Sequence, residues 1–201
     1  MYILILKKIV LFVKKIYNLF SSNFIELYFV KHSNDTITQY KYLHKNNKIY
    51  GSSSLQYFDN VKTLANELNC QSIIDFGCGK GVLSNEIEKK LKIKCTKYDP
   101  AIEQYDTIPN EKFDLLICTD VLEHVPLENL DNVLSSIKTL SNNCFFAISC
   151  RLAGQILPNG ENAHCTVYPK EWWKQFLYKY FSQVDEIEFW DKSAVVYIAK
   201  N

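Results

Sequence analysis

The feature that most constrains the fold is a glycine-rich segment, residues 75–81 (DFGCGKG), between two segments of different periodicity. The run Ser72–Phe76 is short and apolar, which is typical of a buried strand. Beyond the glycines, Leu83, Ile87 and Leu91 recur at helical spacing. The order strand, glycine turn, helix predicts a turn whose main chain can approach a ligand without Cβ atoms in the way.

Strands and helices alternate along the rest of the chain. Strands are also predicted at 94–98 and at the apolar runs 113–119 and 144–149, and apolar residues at helical spacing predict helices over 58–68 and 130–140. A helical stripe follows Pro169, and β-like runs follow at 184–189 and 194–199. This order predicts an α/β fold, a Rossmann-like three-layer sandwich whose mostly parallel sheet ends in a C-terminal antiparallel hairpin.

One edge of the sheet is expected to be short. Only fourteen residues separate Asp99, at the end of the second predicted strand, from Asp114, at the start of the next. That length is too small for a helix and another strand, so the sheet should be shortened around the usual third strand.

Length and charge limit the organisation of the chain. With 201 residues, 47% of them hydrophobic, it can form one domain with a complete core and no separate substrate domain. We predict an N-terminal helix and a lid or connecting region over 1–56, and a ligand-binding domain over 57–201. The net charge of +1 gives no basic footprint, so no nucleic-acid partner is expected.

The N-terminal twenty residues are apolar but interrupted by Lys7, Lys8, Lys14 and Lys15. The apolar runs between the lysines are too short for a membrane span or a signal peptide. The lysines fall on one helical stripe, which indicates either a helix docked on protein or peripheral contact with a membrane surface through residues 1–20. Seven scattered cysteines predict reduced thiols and a cytoplasmic location, and their spacing matches no metal site, so no metal is expected.

Two other nucleotide-binding motifs fail at one position each. A dehydrogenase fingerprint needs Gly or Ala where Val82 stands, and a P-loop needs Ser or Thr after Lys80. The remaining pattern, D-x-G-x-G-x-G, resembles the first motif of class I S-adenosylmethionine-dependent methyltransferases. The resemblance implies S-adenosylmethionine as cofactor, bound by residues that include Asp75, Gly77, Cys78, Gly79 and Gly81.

Asp99 is the second candidate for cofactor binding. It stands 18 residues beyond Gly81, at the predicted end of the second strand and before Pro100. A carboxylate there can accept hydrogen bonds from both ribose hydroxyls. The acid that contacts adenine in this family has no clear equivalent, because the connection after Asp99 is short; Asp106 could replace it or could be an exposed turn residue.

Residues 113–125 (FDLLICTDVLEHV) resemble the F-D-x-x-x-x-x-x-V-L-E-H segment of small-molecule methyltransferases of that class. In the family, residues after this strand line the methionine part of the cofactor and the reaction space. The resemblance therefore assigns Asp120, Val121 and Leu122 to the cofactor and places His124 near the acceptor.

Three residues are candidates for work on the acceptor. His124 and His164 could act as general bases near neutral pH, although His124 could instead hold its loop in place. Arg151 is the single arginine beside 22 lysines, and a guanidinium binds carboxylate or phosphate through two parallel hydrogen bonds. It could anchor a substrate or form an internal salt bridge.

These features predict transfer of a methyl group from S-adenosylmethionine to a small or carrier-linked acceptor, at oxygen or nitrogen. Two alternatives remain open from the sequence: a noncatalytic nucleoside-binding module, and a nicotinamide-dependent oxidoreductase, which Val82 disfavours.

Overall fold

The computed structural model describes residues 35–201, so the interpretations of residues 1–20 lie outside the described residues. Within the described part, no helix is both long and apolar enough to cross a membrane. The helices and strands, in chain order, are α1 Thr36–Asn46, α2 Phe58–Glu67, β1 Ser72–Phe76, α3 Val82–Leu91, β2 Lys94–Tyr98, β3 Leu115–Thr119, α4 Leu130–Leu140, β4 Asn143–Ser149, α5 Lys170–Leu177, β5 Gln183–Ile187 and β6 Ala194–Lys200.

The strands form one six-stranded sheet in the order β2-β1-β3-β4-β6-β5. The first four strands in this order are parallel, and β6 is antiparallel to both β4 and β5. This arrangement confirms the predicted Rossmann-like α/β fold with a C-terminal antiparallel pair. The parallel strands bring the loops that follow β1, β2, β3 and β4 to the same edge of the sheet.

β2 is an edge strand of the described sheet, which confirms the expected shortening. Between β2 and β3 the chain forms only a short 3-10 turn, Glu103–Tyr105. Asp114 aligns the start of β3 with β1, because its carboxylate accepts hydrogen bonds from the main-chain N–H groups of Gln71 and Ser72 at 2.8 and 2.9 Å.

Helices cover both faces of the sheet, which explains why β3 is apolar and buried throughout. On one face, α4 and α5 pack through Leu134, Ile137 and Trp173. On the other, α2 and α3 pack through residues that include Leu64 and Ile87. Both faces therefore have a complete apolar core.

α1 lies in the region that the sequence predicts only as lid and connection. Asp35 caps it by accepting hydrogen bonds from the N–H groups of Ile37 and Thr38. Its buried residues Tyr40 and Leu43 pack with Ala101, after β2, and with Leu157 and Ala163, after β4. The helix therefore bridges two of the loops at the carboxyl edge of the sheet.

Candidate cofactor and acceptor site

A cavity of about 1130 Å³ lies at the carboxyl edge of the sheet. This volume exceeds the range of about 300 to 1,000 Å³ that is usual for a single small-molecule site, so it can hold a cofactor together with an acceptor. Residues from the loops after β1, β2, β3 and β4 line it, and α1 and residues 47–57 complete the wall. Its lining includes the predicted site residues Gly77, Gly79, Asp99, Pro100, Asp120, Val121, His124, Arg151 and His164.

The glycine turn is held against the end of β2. The N–H groups of Gly77 and Cys78 donate to the carbonyl oxygen of Tyr98 at 2.7 and 3.0 Å. Gly77 has φ +79°, and a Cβ there would lie 2.3 Å from Cγ2 of Val121. Only glycine satisfies both conditions, so the main chain of the turn packs directly against the side chain of Val121 in the loop after β3.

Gly79 faces Gly51 instead of open space. A Cβ on Gly79 would lie 2.6 Å from the carbonyl oxygen of Gly51, and Gly79 has φ +53°. Lys80 fastens the same segment, since its N–H donates to the Gly51 oxygen at 3.0 Å and its Nζ to the Asn47 oxygen at 2.7 Å. The turn and residues 47–51 therefore form one packed unit.

Asp99 is almost completely buried at the wall of the cavity. One carboxylate oxygen accepts a hydrogen bond from the N–H of Gly79, and the other from the N–H of Ala101, both at 2.8 Å. Each oxygen keeps a second lone pair for a ligand. Asp99 thus orders the glycine turn and presents acceptors to the cavity.

Four residues of the predicted cofactor set do not line the cavity: Asp75, Cys78, Gly81 and Leu122. Asp75 is buried and accepts a hydrogen bond from Oγ of Ser84 on α3. Burial raises the pKa of its carboxyl group to about 6, although the Ser84 hydrogen bond opposes this. Leu122 belongs to the apolar core beneath the cavity. The side chains of Asp75 and Leu122 therefore pack behind the cavity wall.

Asp120 is held at the end of β3 by two hydroxyl groups from residues 53–57. Oγ of Ser53 and the Tyr57 hydroxyl each donate to one of its carboxylate oxygens at 2.9 Å. Asp120 adopts φ +54°, a strained main-chain conformation outside glycine. Burial raises the pKa of its carboxyl group, and the two hydrogen bonds oppose that rise.

The two predicted catalytic histidines meet in the cavity. The rings of His124 and His164 are perpendicular, with their centroids 4.7 Å apart. Nδ1 of His124 lies 2.8 Å from the Ala163 oxygen, and Nδ1 of His164 lies 2.6 Å from the Arg151 oxygen. Burial lowers the pKa of His124 to about 4, with repulsion from His164 adding to the effect. His124 is therefore neutral at pH 7.

Arg151 lies exposed at the rim, just beyond β4. Among the described residues, no carboxylate lies within ion-pair distance of its guanidinium. Hydrogen bonds from Ser193 lower the pKa of Asp191, and the charge of Arg151 adds a small contribution. The internal salt bridge considered from the sequence is thus not formed with the described residues.

Several lining residues were missed by the sequence reasoning. Tyr40 and His44 lie one helical turn apart on α1, and the Tyr40 hydroxyl approaches Nδ1 of His124 at 3.1 Å. Tyr50 and His44 contact each other edge to face. The i, i+4 spacing of Tyr40 and His44, after the capping residue Asp35, is the signal that could have revealed them. Glu123 was also missed as a site residue, although it lies inside the recognised motif.

Comparisons with known proteins agree with this geometry. Residues 44–180 match a family model described as a methyltransferase domain. The mitomycin 7-O-methyltransferase MmcR superposes with a TM-score of 0.59 at 14% identity, covering 81% of this chain and 60% of that chain. An O-methyltransferase family protein from Burkholderia thailandensis gives 0.58 at 10% identity, over 92% and 70%. The complex of DhpI with S-adenosylhomocysteine gives 0.54 at 14% identity, over 84% and 98%. Curated protein sequences gave no match.

The fold and the glycine turn define a class I S-adenosylmethionine-dependent methyltransferase, an enzyme with S-adenosylmethionine as its cofactor. At these sequence identities the solved structures support the fold. Because the family model covers more than half of the chain, the protein belongs to the methyltransferase-domain family.

Proposed function

We propose that this enzyme methylates a hydroxyl or amino group of a small or carrier-linked molecule. The observation that carries the proposal is a single cavity with two kinds of lining. A glycine turn and Asp99 form one part, and two histidines and Arg151 form another. No separate substrate domain is needed, because one space can hold donor and acceptor.

The residues of the cavity suit the cofactor. Gly77 and Gly79 line the cavity without side chains, and the carboxylate of Asp99 offers lone pairs that can accept from the ribose hydroxyls. We assign the methionine part to the neighbourhood of Asp120 and Val121. When bound, S-adenosylmethionine supplies a methyl group on a positively charged sulfur. The chain must then orient the acceptor and exclude water. In well-oriented systems, this lowers the activation free energy by about 7 to 11 kcal/mol.

The histidine pair supports removal of a proton from the acceptor. The carbonyl oxygens beside both Nδ1 atoms can only accept, so Nδ1 carries the proton and Nε2 keeps its lone pair. Both rings border the cavity, and His164 is the less buried. We assign His164 and His124 to this task, with Arg151 as an anchor for a carboxylate or phosphate on the substrate.

We further propose a cytoplasmic location. All seven cysteines lie in the described part of the chain and are free, five of them buried. This supports a reducing compartment. Contact of residues 1–20 with a membrane surface remains a proposal from the sequence.

The direct test of function is product identification. Purified protein is incubated with donor radiolabelled at the methyl group and an extract of small molecules, and the labelled product is identified by chromatography and mass spectrometry. His164→Ala is expected to lower product formation while S-adenosylhomocysteine binding stays unchanged. Binding of the donor without labelled product in any extract would favour the noncatalytic module.

A further inference from the structure

Three potential metal ligands converge in the cavity, although they are separated by up to 41 residues in the chain. A carboxylate oxygen of Glu123 and one ring nitrogen each of His124 and His164 all lie within 4.8 Å of one another. A cation with bonds of about 2.1 Å would hold such atoms roughly 3 to 3.5 Å apart. Small side-chain movements are therefore sufficient to form a common site.

Glu123 has an oxygen with no partner in the described structure. Its side chain is fully buried, and Oε1 accepts a hydrogen bond from the Ser149 N–H at 2.9 Å. Oε2 is buried too, but no described residue donates to it. A buried carboxylate oxygen without a partner is costly, so this atom indicates a missing ligand.

The two histidines are oriented as metal ligands usually are. Metal-binding histidines typically donate their second ring N–H to a carbonyl oxygen or a carboxylate, which fixes the ring and leaves the other nitrogen for the metal. His124 and His164 have this arrangement, with the oxygens of Ala163 and Arg151 beside Nδ1. In each ring, Nε2 is the nitrogen left with a free lone pair.

The charges around the cluster favour a divalent cation. Glu123 is fully buried, and Asp120, three residues before it in the chain, lines the same cavity. Among the described residues, no lysine or arginine lies within 4.0 Å of either carboxylate. A cation of charge +2 would compensate the negative charge of these two carboxylates.

We propose that Glu123, His124 and His164 bind a divalent first-row transition cation, which in turn binds the acceptor oxygen. Two imidazole nitrogens and one carboxylate suit Mn²⁺, Fe²⁺, Co²⁺ or Zn²⁺ better than Ca²⁺ or Mg²⁺. Three protein ligands leave positions open for substrate. The inference rests on the proposed methyl transfer, specifies a hydroxyl acceptor, and departs from the sequence-based expectation of no metal.

The cation would make the acceptor a better nucleophile. A hydroxyl bound to such an ion loses its proton near neutral pH far more readily than a free one. The proton leaves to solvent, the O–CH₃ bond forms, and the S–CH₃ bond of the donor breaks with its electron pair remaining on sulfur. In this scheme, the histidines position the cation instead of removing the proton themselves.

To test this, the protein is first freed of metal with EDTA. It is then titrated with Co²⁺, and binding is measured by calorimetry. S-adenosylhomocysteine binding is measured on the same samples. One Co²⁺ is expected per chain. Glu123→Gln and His164→Ala should each weaken Co²⁺ binding at least about tenfold. Removing a group that only orients a metal ligand can already cause a loss of this size, so removing a ligand should cost at least as much. Glu171→Gln, an exposed glutamate on α5 outside the cavity, is the matched control and should bind normally.

The outcomes separate the two proposals. Unchanged S-adenosylhomocysteine affinity in the variants shows that they are folded, and His164→Ala serves if Glu123→Gln does not fold, because His164 is only partly buried. Normal cofactor binding without Co²⁺ uptake, or uptake that both variants retain, would overturn the metal site alone. Failure of the unsubstituted protein to bind S-adenosylhomocysteine would instead contradict the proposed function.

Discussion

Asp99 shows how one side chain can serve both the fold and the ligand. Its two oxygens accept N–H groups from Gly79 and Ala101, so it connects the turn after β1 to the loop after β2. The same carboxylate lies on the cavity wall. Ligand affinity and local order should therefore change together when its charge is removed.

Asp99→Asn is expected to weaken S-adenosylhomocysteine binding by about 10- to 100-fold, because hydrogen bonds to charged groups contribute about 1.5 to 3 kcal/mol. It should also destabilise the protein slightly, since the amide nitrogen of Asn faces a main-chain N–H that needs an acceptor. Calorimetry measures the affinity. Asp185→Asn, at an exposed aspartate on β5 outside the cavity, is the matched control. Equal affinity in both variants would remove Asp99 from the ribose site.

Asp75 makes stability depend on pH. Its pKa is raised from 3.8 to about 6, so the folded state holds this proton more tightly than the unfolded state. The resulting stabilisation is present below pH 3.8 and is lost as the pH rises through 6. The free energy of unfolding of Asp75→Asn, relative to that of the unsubstituted protein, should therefore increase by up to about 3 kcal/mol between pH 4 and pH 7.

Urea unfolding at pH 4, 5, 6 and 7, followed by circular dichroism, measures this difference. The exposed-site variant Asp106→Asn provides the baseline. A constant difference between Asp75→Asn and the unsubstituted protein across this range would show that the buried carboxyl group titrates normally.

At the scale of elements, the glycine turn and the segment after α1 behave as one unit. Residues 47–51 lie on the turn through the contacts of Gly51 and Asn47 with Gly79 and Lys80. Downstream of this segment, Ser53 and Tyr57 hold Asp120 at the end of β3. Residues 47–57 are thus connected to the ends of both β1 and β3, on either side of the cavity.

Gly79→Ala is expected to lower the free energy of unfolding by about 2 to 4 kcal/mol. Its Cβ would lie 2.6 Å from a main-chain oxygen, and the positive φ adds strain of roughly 1 to 2 kcal/mol. Cofactor affinity should also fall, because residues 47–51 must move. Gly154→Ala is the control, since a Cβ there meets nothing within 4 Å. Urea unfolding that gives equal stability for both variants would contradict the tight contact.

At the scale of the whole molecule, one cavity connects α1, the residues that follow it and the loops after four strands. A ligand bound there contacts segments that are distant in the chain, so binding should stabilise the domain as a whole. The opposite faces of the sheet already have complete apolar cores. The carboxyl edge is the place where a ligand adds contacts.

S-adenosylhomocysteine at 100 times its dissociation constant is expected to stabilise the protein by about 2.7 kcal/mol, which raises the melting temperature by roughly 5 to 10 °C. NAD at the same concentration should leave it unchanged, because Val82 stands where the dehydrogenase turn needs a small residue. Thermal unfolding with each ligand checks this. Stabilisation by NAD alone would contradict the cofactor assignment.

The sequence by itself determined the strands, the glycine turn and the shortened edge. These features depend on local periodicity, on glycine at positive φ and on the length of one connection, all of which can be read over short segments. The same reasoning placed Asp99 and Arg151 at the carboxyl edge, because parallel strands must end there together. Asp120 and His124 were assigned to the site by the resemblance of residues 113–125 to the methyltransferase segment.

Only the tertiary structure decided which side chains reach the cavity and what they meet. Asp75 and Leu122 stand in the right motifs but point into buried surroundings, which depends on packing against α3 and the core. Position 79 must be glycine because a Cβ there would be too close to the carbonyl oxygen of Gly51, which is 28 residues away in the chain. Glu123 and His164 become neighbours because the loop after β4 folds back over the end of β3. Contacts across such separations depend on how the loops and helices pack, and no local pattern encodes them.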